Sequence, residues 1–178
     1  MDDTDLRFPV GKFKLPESVT LGDRAAFVEE IAATPAKLRA AVAGLGESQL
    51  DTPYRPGGWT VRQVIHHVPD SHVNSYTRFR LALTEDEPTI KTYREDQWAE
   101  LLDARTMPVD VSLQLLENLH TRWVMLLRSL SDQQWKRTFR HADFGSVTLE
   151  QNAALYAWHG RHHAAHITSL RERRGWTN

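Results

Sequence analysis

Apolar residues recur at helical spacing in four separate segments of this chain. The first segment begins at residue 21 and ends at Gly44 and Gly46, where glycine typically closes a helix. Pro35 lies inside it and predicts a kink or a division of the helix. The apolar stripe of this segment consists of Phe27, Ile31, Leu38, Val42 and Leu45.

A second helix is indicated by the capping box of Thr60 and Gln63 and runs to about residue 83. Pro69 lies in its middle, and because proline has no N–H to donate, we expect a bend two residues after His67. The apolar side of this helix carries Val61, Val64, Ile65, Val68, Tyr76 and Phe79.

A third long helix is predicted for residues 109–130, where leucines and Trp123 repeat every three or four positions. A last helix begins at the capping box of Thr148 and Gln151, runs to Arg174 and stops at Gly175. Four long amphipathic segments with little strand signal predict an all-α protein, most simply an antiparallel-rich four-helix bundle.

The shorter segments add little to this core. A short helix is expected for residues 97–104, a brief turn after Ser131, and a small hairpin or irregular insertion for residues 136–147, before the last helix. We interpret residues 1–20, with two prolines and no sustained periodicity, as an N-terminal arm that carries no chemistry. At 178 residues and 40% hydrophobic composition, we expect one domain over residues 1–178.

Charge and composition exclude several classes of function. The 22 basic and 23 acidic residues nearly cancel, so no positive field favours nucleic acid. The chain contains no cysteine, which excludes disulfides, thiolate zinc sites and a cysteine nucleophile. No apolar run approaches the roughly 18 residues of a membrane span, and the acidic N-terminus lacks a signal-peptide core. We therefore expect a cytoplasmic protein without nucleic-acid or membrane partners.

Histidines are the unusual feature of the composition. Four of the nine lie between residues 159 and 166, and at about 100° per residue they share one face of the last helix. Neutral imidazoles crowded on a core-facing stripe favour a divalent transition metal, and an i, i+4 pair can place two nitrogens on one ion. The four histidines of this stripe are His159, His162, His163 and His166.

A third ligand must come from another helix, and the second helix offers His66 and His67. We prefer His67, which shares a face with Val64 and Val68, whereas His66 falls nearer the less apolar side that bears Arg62. Three histidine ligands leave one coordination position open, as in catalytic sites. The remaining histidines are expected to be isolated, and each to be solvated or locally hydrogen-bonded: His72, His120 and His141.

Other polar residues near these motifs are weaker candidates. Asp70 and Glu150 could orient an imidazole, although both are equally plausible as surface charges on a helix. A further set could contact an anionic substrate, although surface or packing roles are favoured for each of its members: Arg55, Arg62, Asn74, Tyr76, Arg78 and Trp158.

Two stretches of sequence resemble the YfiT family of the DinB-like superfamily. They are RPGGWTVRQVIHHVPDSHVNSYTRFRLALTEDEPTIKTY at residues 55–93 and YAWHGRHHAAHITSL at residues 156–170, in the family's order and at similar separation. The resemblance implies a four-helix bundle of this type that holds one zinc ion, with nickel as the alternative. It also implies a homodimer.

The resemblance assigns the ligands residue by residue. The helix-two histidine lies eight residues after the tryptophan of GGW, which is His67, and the H-x3-H pair is His159 and His163. His162 and His166 match positions that neighbour the site without binding the ion. Pro69 stands where the family has alanine, a departure that affects the local geometry of the His67 helix.

Members of this family are described as metal-dependent hydrolases and are similar to thiol S-transferases that use bacillithiol. The leading expectation is a hydrolase acting on a small molecule, and the alternative is transfer of a low-molecular-weight thiol at the same metal. A non-catalytic, metal-stabilised bundle that acts as a sensor or interaction module is a third reading. A closed coordination sphere that included His162 or His166 would favour that reading.

Overall fold

The structure, a computed structural model, describes residues 6–176 and is mainly helical. Both the four-helix bundle and the small hairpin predicted before the last helix are confirmed. The helices are α1 (Leu21–Val42), α2 (Glu47–Leu50), α3 (Val61–Thr84), α4 (Glu95–Trp98), α5 (Leu102–Thr106), α6 (Val109–Ser129), α7 (Asp132–Trp135) and α8 (Leu149–Arg174), and the strands are β1 (Thr138–His141) and β2 (Gly145–Thr148).

Side-chain capping defines where three of the four long helices begin. The hydroxyls of Thr20, Thr60 and Thr148 each accept a hydrogen bond from the backbone N–H three residues later. In each case the side chain three residues later accepts a hydrogen bond from the backbone N–H of the threonine, so two otherwise unpaired donors are satisfied at each helix start. The last helix ends at Gly175, whose positive φ is the left-handed conformation that closes helices.

Neither internal proline interrupts its helix. Pro35 is buried within α1 and Pro69 within α3, and both helices continue past them. Of the two effects expected at Pro35, a division of the first helix does not occur, and a kink stays a prediction. A proline removes one intrahelical hydrogen bond, and here burial of the flanking turns in the bundle core outweighs that loss.

Two of the four neighbouring helix pairs run parallel. Arg24 lies beside Glu150, and Arg171 donates to the Ala41 carbonyl, so α1 and α8 point the same way. The α3 and α6 helices are also parallel, because His66 contacts Ser112 and, further along both helices, His72 contacts His120. The α3/α8 and α1/α6 pairs are antiparallel, as predicted for the bundle.

Residues 85–108 form the long connection that makes the α3/α6 pair parallel. They leave the end of α3, where Ile90 N donates to the Arg140 carbonyl of β1, and return along α3 to its first turns. There Gln63 donates to the Ala99 carbonyl at 2.8 Å. A long crossover of this kind lets the next helix start at the same end of the bundle as the previous one.

The apolar core has two parts, with a layer of histidines between them along α3 and α8. One part surrounds Trp123 and Phe79, and the other surrounds Leu38, Leu116 and Ile167. Between residues 6 and 176, no helix is both long enough and apolar enough to cross a membrane.

The N-terminal arm lies against α8. The Pro16 carbonyl accepts a hydrogen bond from the Gln151 side chain, and the Gly11 carbonyl accepts one from the Trp158 indole. Residues 1–5 of the predicted arm fall outside the described residues. The contacts of the arm explain how a segment without periodicity is held in place on the bundle.

Candidate metal centre

Three histidines from two antiparallel helices meet at one point. Their nearest ring nitrogens all lie within 4.8 Å of one another, and the Nε2 atoms of His67 and His159 are 3.3 Å apart. His159 and His163 are one helical turn apart on α8, so both rings project towards α3. The structure thus brings together the three residues that the sequence singled out as metal ligands.

These imidazoles are neutral near pH 7. Burial, with a smaller effect of His166, lowers the pKa of His67 to about 3. Burial also holds the pKa values of His159 and His163 well below the usual value, since neighbouring imidazoles further disfavour a positive charge. Neutral imidazole is the form that binds a transition metal, so a cation meets little competition from protons here.

The donor set fits a divalent transition metal. All three donors are imidazole nitrogens, which zinc and nickel accept readily. The Nδ1 of His163 is buried without a hydrogen-bond partner, a costly state for a polar atom unless an ion or a water satisfies it. His67, His159 and His163 are therefore the residues that would hold the ion.

His66 has a separate structural role. Its Nδ1 lies 2.7 Å from the Ser112 hydroxyl, and its Nε2 donates to the Met107 carbonyl at 3.0 Å, so both ring nitrogens are occupied away from the other histidines. The helix side that bears Arg62, expected to be the less apolar side, is also buried. Arg62 forms ion pairs with Asp51 and Glu47, which hold the α2 region against α3.

Sequence reasoning missed the involvement of His72 and His120. Both were expected to be isolated, but the structure buries them and links them to the site. The Nε2 of His72 lies 3.1 Å from the Nδ1 of His159, and the Nδ1 of His72 lies 2.8 Å from the Nε2 of His120. His141 matches its expected local bonding, since its Nδ1 accepts the backbone N–H of Asp143 at 3.1 Å.

His162 and His166 contact the ligand candidate His163 edge-on, and each stacks on an aromatic residue. The His162 ring stacks on Trp158 with centroids 4.3 Å apart, and the His166 ring stacks on Tyr54 at 4.0 Å. The Nε2 of His166 donates to the Arg7 carbonyl at 3.1 Å and so ties the N-terminal arm to α8.

The two acidic candidates, Asp70 and Glu150, do not support the imidazoles of the proposed site. Burial, with repulsion from Asp103, raises the pKa of Asp70 to about 6, and within residues 6–176 its carboxylate makes no hydrogen bond to a histidine. Glu150 pairs with Arg24 at 2.7 Å in the first turn of α8, far along the helix from His159. The structure therefore gives neither carboxylate a contact that would orient a metal ligand.

A cavity of about 400 Å³ opens onto the three histidines, within the size range of small-molecule sites. Arg55 and Trp158 line it, whereas Asn74 and Arg78 do not. Asn74 lies two helical turns beyond His67, and its amide donates to the Asp70 carbonyl of the same helix. Arg78 is a further turn away and buried. Of the three substrate-contact candidates, only Arg55 therefore lines this cavity among the described residues.

Part of the cavity lining comes from the N-terminal arm and from the connection between α3 and α6. Arg7 and Phe8 belong to the N-terminal arm, which was expected to carry no chemistry, and Glu95 belongs to the connection between α3 and α6. Glu95 is the only carboxylate among the described residues that line the cavity. Its side chain reaches the surface, yet partial burial, with a smaller effect of Asp96, raises the pKa of its carboxyl.

Comparison with known proteins gives relatives that span nearly the whole chain. A Bacillus cereus (strain AH820) protein named "Putative metal-dependent hydrolase" is 56% identical over 172 residues, which cover 97% of this chain and 99% of the relative. A protein of the same name from Bacillus thuringiensis subsp. konkukian is 55% identical over the same length and coverage.

Solved structures show the same architecture. YfiT from Bacillus subtilis, described as a probable metal-dependent hydrolase with an unusual four-helix bundle topology, matches with a TM-score of 0.94. It is 50% identical and covers 97% of this chain and 99% of its own. TT2238, described as a four-helix bundle protein, shares the fold at a TM-score of 0.53, with 19% identity over 84% of this chain and 98% of its own.

The family profile agrees with these matches. The profile of the DinB superfamily matches residues 30–167, which include α3, the connection to α6 and the histidines of α8. The resemblance drawn from the two histidine-containing stretches is thereby confirmed. Because this profile covers most of the chain and the relatives are more than half identical across almost all of it, the chain belongs to the DinB superfamily.

Proposed function

We propose that this protein is a metal-dependent hydrolase whose divalent ion is held by His67, His159 and His163. The observation that carries the proposal is the convergence of three neutral imidazoles at a cavity sized for a small molecule. The names of the close relatives support the reaction class. Zinc is the proposed ion and nickel the alternative, because both accept an all-imidazole donor set.

Three protein ligands leave room for water or substrate at the ion. A divalent ion in such a site supplies Lewis acidity, which lowers the pKa of a water or thiol ligand towards neutrality. The protein's part is to hold three lone pairs in place and to shape the surrounding cavity. Both hydrolysis and thiol transfer could use this arrangement, and the names of the relatives favour hydrolysis.

Glu95 is the residue proposed to accept the proton of the nucleophile. It supplies the only carboxylate among the described residues of the cavity lining, and partial burial raises its pKa towards the range of an effective general base. Glu95 at the cavity can take a proton from an attacking water and return it to the leaving group.

The lining also indicates a substrate class. Arg7 and Arg55 contribute two guanidinium groups to the cavity lining, Glu95 contributes a carboxylate, and aromatic rings supply apolar surface. Such a lining suits a small molecule with an anionic or strongly accepting group beside an apolar part. The aromatic side chains are Phe8, Tyr54, Trp59 and Trp158.

The proposed function is tested by assaying purified protein, stripped of metal and then reloaded with zinc or nickel, against a panel of small esters, amides and activated electrophiles. We expect hydrolysis that requires the ion and follows its occupancy. Adding bacillithiol to parallel reactions separates the alternatives, since a rate that depended on the thiol would replace hydrolysis by transfer. A protein that binds the ion but turns over no compound on the panel would favour the non-catalytic reading.

Replacing Glu95 by glutamine is expected to lower the hydrolytic rate by about a hundredfold, since a positioned general base contributes at least this much. Zinc content should not change, because the Glu95 carboxylate is not among the three grouped donors. The rate is measured at saturating substrate, and zinc by elemental analysis. Glu100→Gln, on the same connection but outside the cavity lining, is the matched control. An unaltered rate in Glu95→Gln would remove Glu95 from the mechanism.

A further inference from the structure

A chain of hydrogen bonds connects the main chain of α1 to the metal-ligand candidate His159. The Nδ1 of His120 lies 2.7 Å from the Ile31 carbonyl oxygen, and its Nε2 lies 2.8 Å from the Nδ1 of His72. The Nε2 of His72 then lies 3.1 Å from the Nδ1 of His159. The two intermediate histidines are buried, with His72 fully so.

The carbonyl at one end determines the direction of every bond in this chain. A carbonyl oxygen can only accept, so the Nδ1 of His120 carries a hydrogen. A neutral imidazole has one N–H, so the Nε2 of His120 accepts from the Nδ1 of His72, and the Nε2 of His72 accepts from the Nδ1 of His159. This order leaves the Nε2 of His159 without a hydrogen, next to the Nε2 of His67.

We propose that His72 and His120 are positioning residues that hold His159 in its Nδ1–H tautomer and direct its Nε2 lone pair towards the ion. This inference rests on the proposed metal function. Metal-ligating histidines commonly donate their second ring N–H to an acceptor that fixes tautomer and orientation. Here the acceptor is the His72 imidazole. Its tautomer is determined through His120 by the Ile31 carbonyl of α1.

Pro35 explains why the Ile31 carbonyl is available as the acceptor at the start of this chain of hydrogen bonds. In an α-helix the carbonyl of Ile31 would accept from the N–H of residue 35, but proline has no N–H. The Ile31 carbonyl therefore lacks its intrahelical partner and accepts from His120 instead. The proline that was expected to disrupt the first helix thus provides the acceptor on which the order of the histidines depends.

Aromatic packing keeps the middle imidazole in its orientation. The His72 ring meets Trp123 and Tyr156 edge-on, at interplanar angles of 88° and 83°. It stacks on His120 at 18°. Among the described residues, the buried Nδ1 of His163 has no hydrogen-bond partner, so His159 and His163 are supported unequally.

The test compares His72→Leu, which removes the acceptor, with His72→Gln, whose side-chain oxygen can still accept from His159. The first measurement is nitrogen-15 NMR of the histidine rings in the metal-free protein, which reports each tautomer. The second is Zn²⁺ affinity by competition with a chelator. His66→Leu is the matched control, because His66 is also a buried α3 histidine and has both ring nitrogens bonded outside the site.

We expect His159 to be the Nδ1–H tautomer in the wild type and to shift towards Nε2–H in His72→Leu, with Zn²⁺ affinity reduced about 10–100-fold. His72→Gln should recover most of the affinity, and His120→Leu should lie between wild type and His72→Leu. His66→Leu should lower thermal stability without changing the tautomer of His159 or the Zn²⁺ affinity.

Two results would overturn the inference. One is a wild-type His159 in the Nε2–H tautomer, and the other is a His72→Leu variant that binds Zn²⁺ as tightly as the His66→Leu control. Wild-type protein that binds no Zn²⁺ at all would instead contradict the proposed metal function. The tautomer measurement on metal-free protein still decides the hydrogen-bond order in that case.

Discussion

Replacing His163 by alanine should reduce the bound metal from about one ion per chain to none detectable, because two imidazoles are too few to hold a transition metal tightly. The side chain is buried and its Nδ1 has no hydrogen-bond partner, so the substitution breaks no hydrogen bond at that atom. The loss should therefore appear in metal content and hydrolysis rather than in folding. Elemental analysis of purified protein and circular dichroism check the two parts of this expectation.

The control for His163→Ala is a variant that removes a histidine outside the proposed metal site. It shows whether metal is lost because a ligand is removed or because any imidazole is removed. His141 is half-buried on β1 and bonds locally to Asp143, so His141→Ala should keep its metal. His67→Ala should behave like His163→Ala, since both contribute to the same cluster. Full metal occupancy in His163→Ala would show that the ion is bound elsewhere, and the proposed site would be abandoned.

Replacing Gly160 by alanine should destabilise the protein by about 3 kcal/mol, the upper part of the range for overpacking. A Cβ on Gly160 would lie 2.4 Å from the Thr34 Oγ1 and 2.8 Å from its Cγ2, closer than atoms can approach. Since both residues are buried between α1 and α8, the helices would have to separate. Urea denaturation of the two proteins measures the difference in the free energy of unfolding.

Two companion variants identify the clash as the cause. Gly22→Ala makes the same change in the first turn of α1, where the nearest atom to a new Cβ is 3.7 Å away, so stability should change by less than about 1 kcal/mol. Thr34→Ala removes the two closest contacts, so the double variant should recover part of the loss. A Gly160→Ala protein as stable as wild type would mean that α1 and α8 do not approach this closely.

The helices and the metal-ligand candidates were accessible from the sequence because each depends on local spacing. Capping boxes at Thr60 and Thr148 give the helix starts, and an i, i+4 pair places His159 and His163 on one face. His67 required a choice between two adjacent residues. Its face with Val64 and Val68 favoured it, and the resemblance to the family assigned it.

Features that depend on how distant helices pair could not be read from local spacing. The links from His120 to Ile31 and from His72 to His159 involve all four long helices, and no pattern in the sequence sets those pairings. The parallel α3/α6 pair depends on the route taken by residues 85–108. The one available signal was Pro35, which identifies a carbonyl in need of a donor but not the donor itself.

Partner and assembly expectations stay predictions. The homodimer follows from the resemblance alone, and sedimentation of the purified protein would decide it. The low-molecular-weight thiol is likewise a prediction, addressed by the bacillithiol arm of the activity assay.

Residues 85–108, the connection between α3 and α6, contribute to the cavity lining without belonging to the four helices of the bundle. Glu95 reaches the cavity from this connection rather than from a helix that builds the core, and Arg7 arrives from the arm in the same way. Substitutions in these two stretches can alter which compounds are turned over while the histidine ligands and the packed helices stay unchanged. Related chains could thus diversify their chemistry by exchanging peripheral segments around a common ion-holding scaffold.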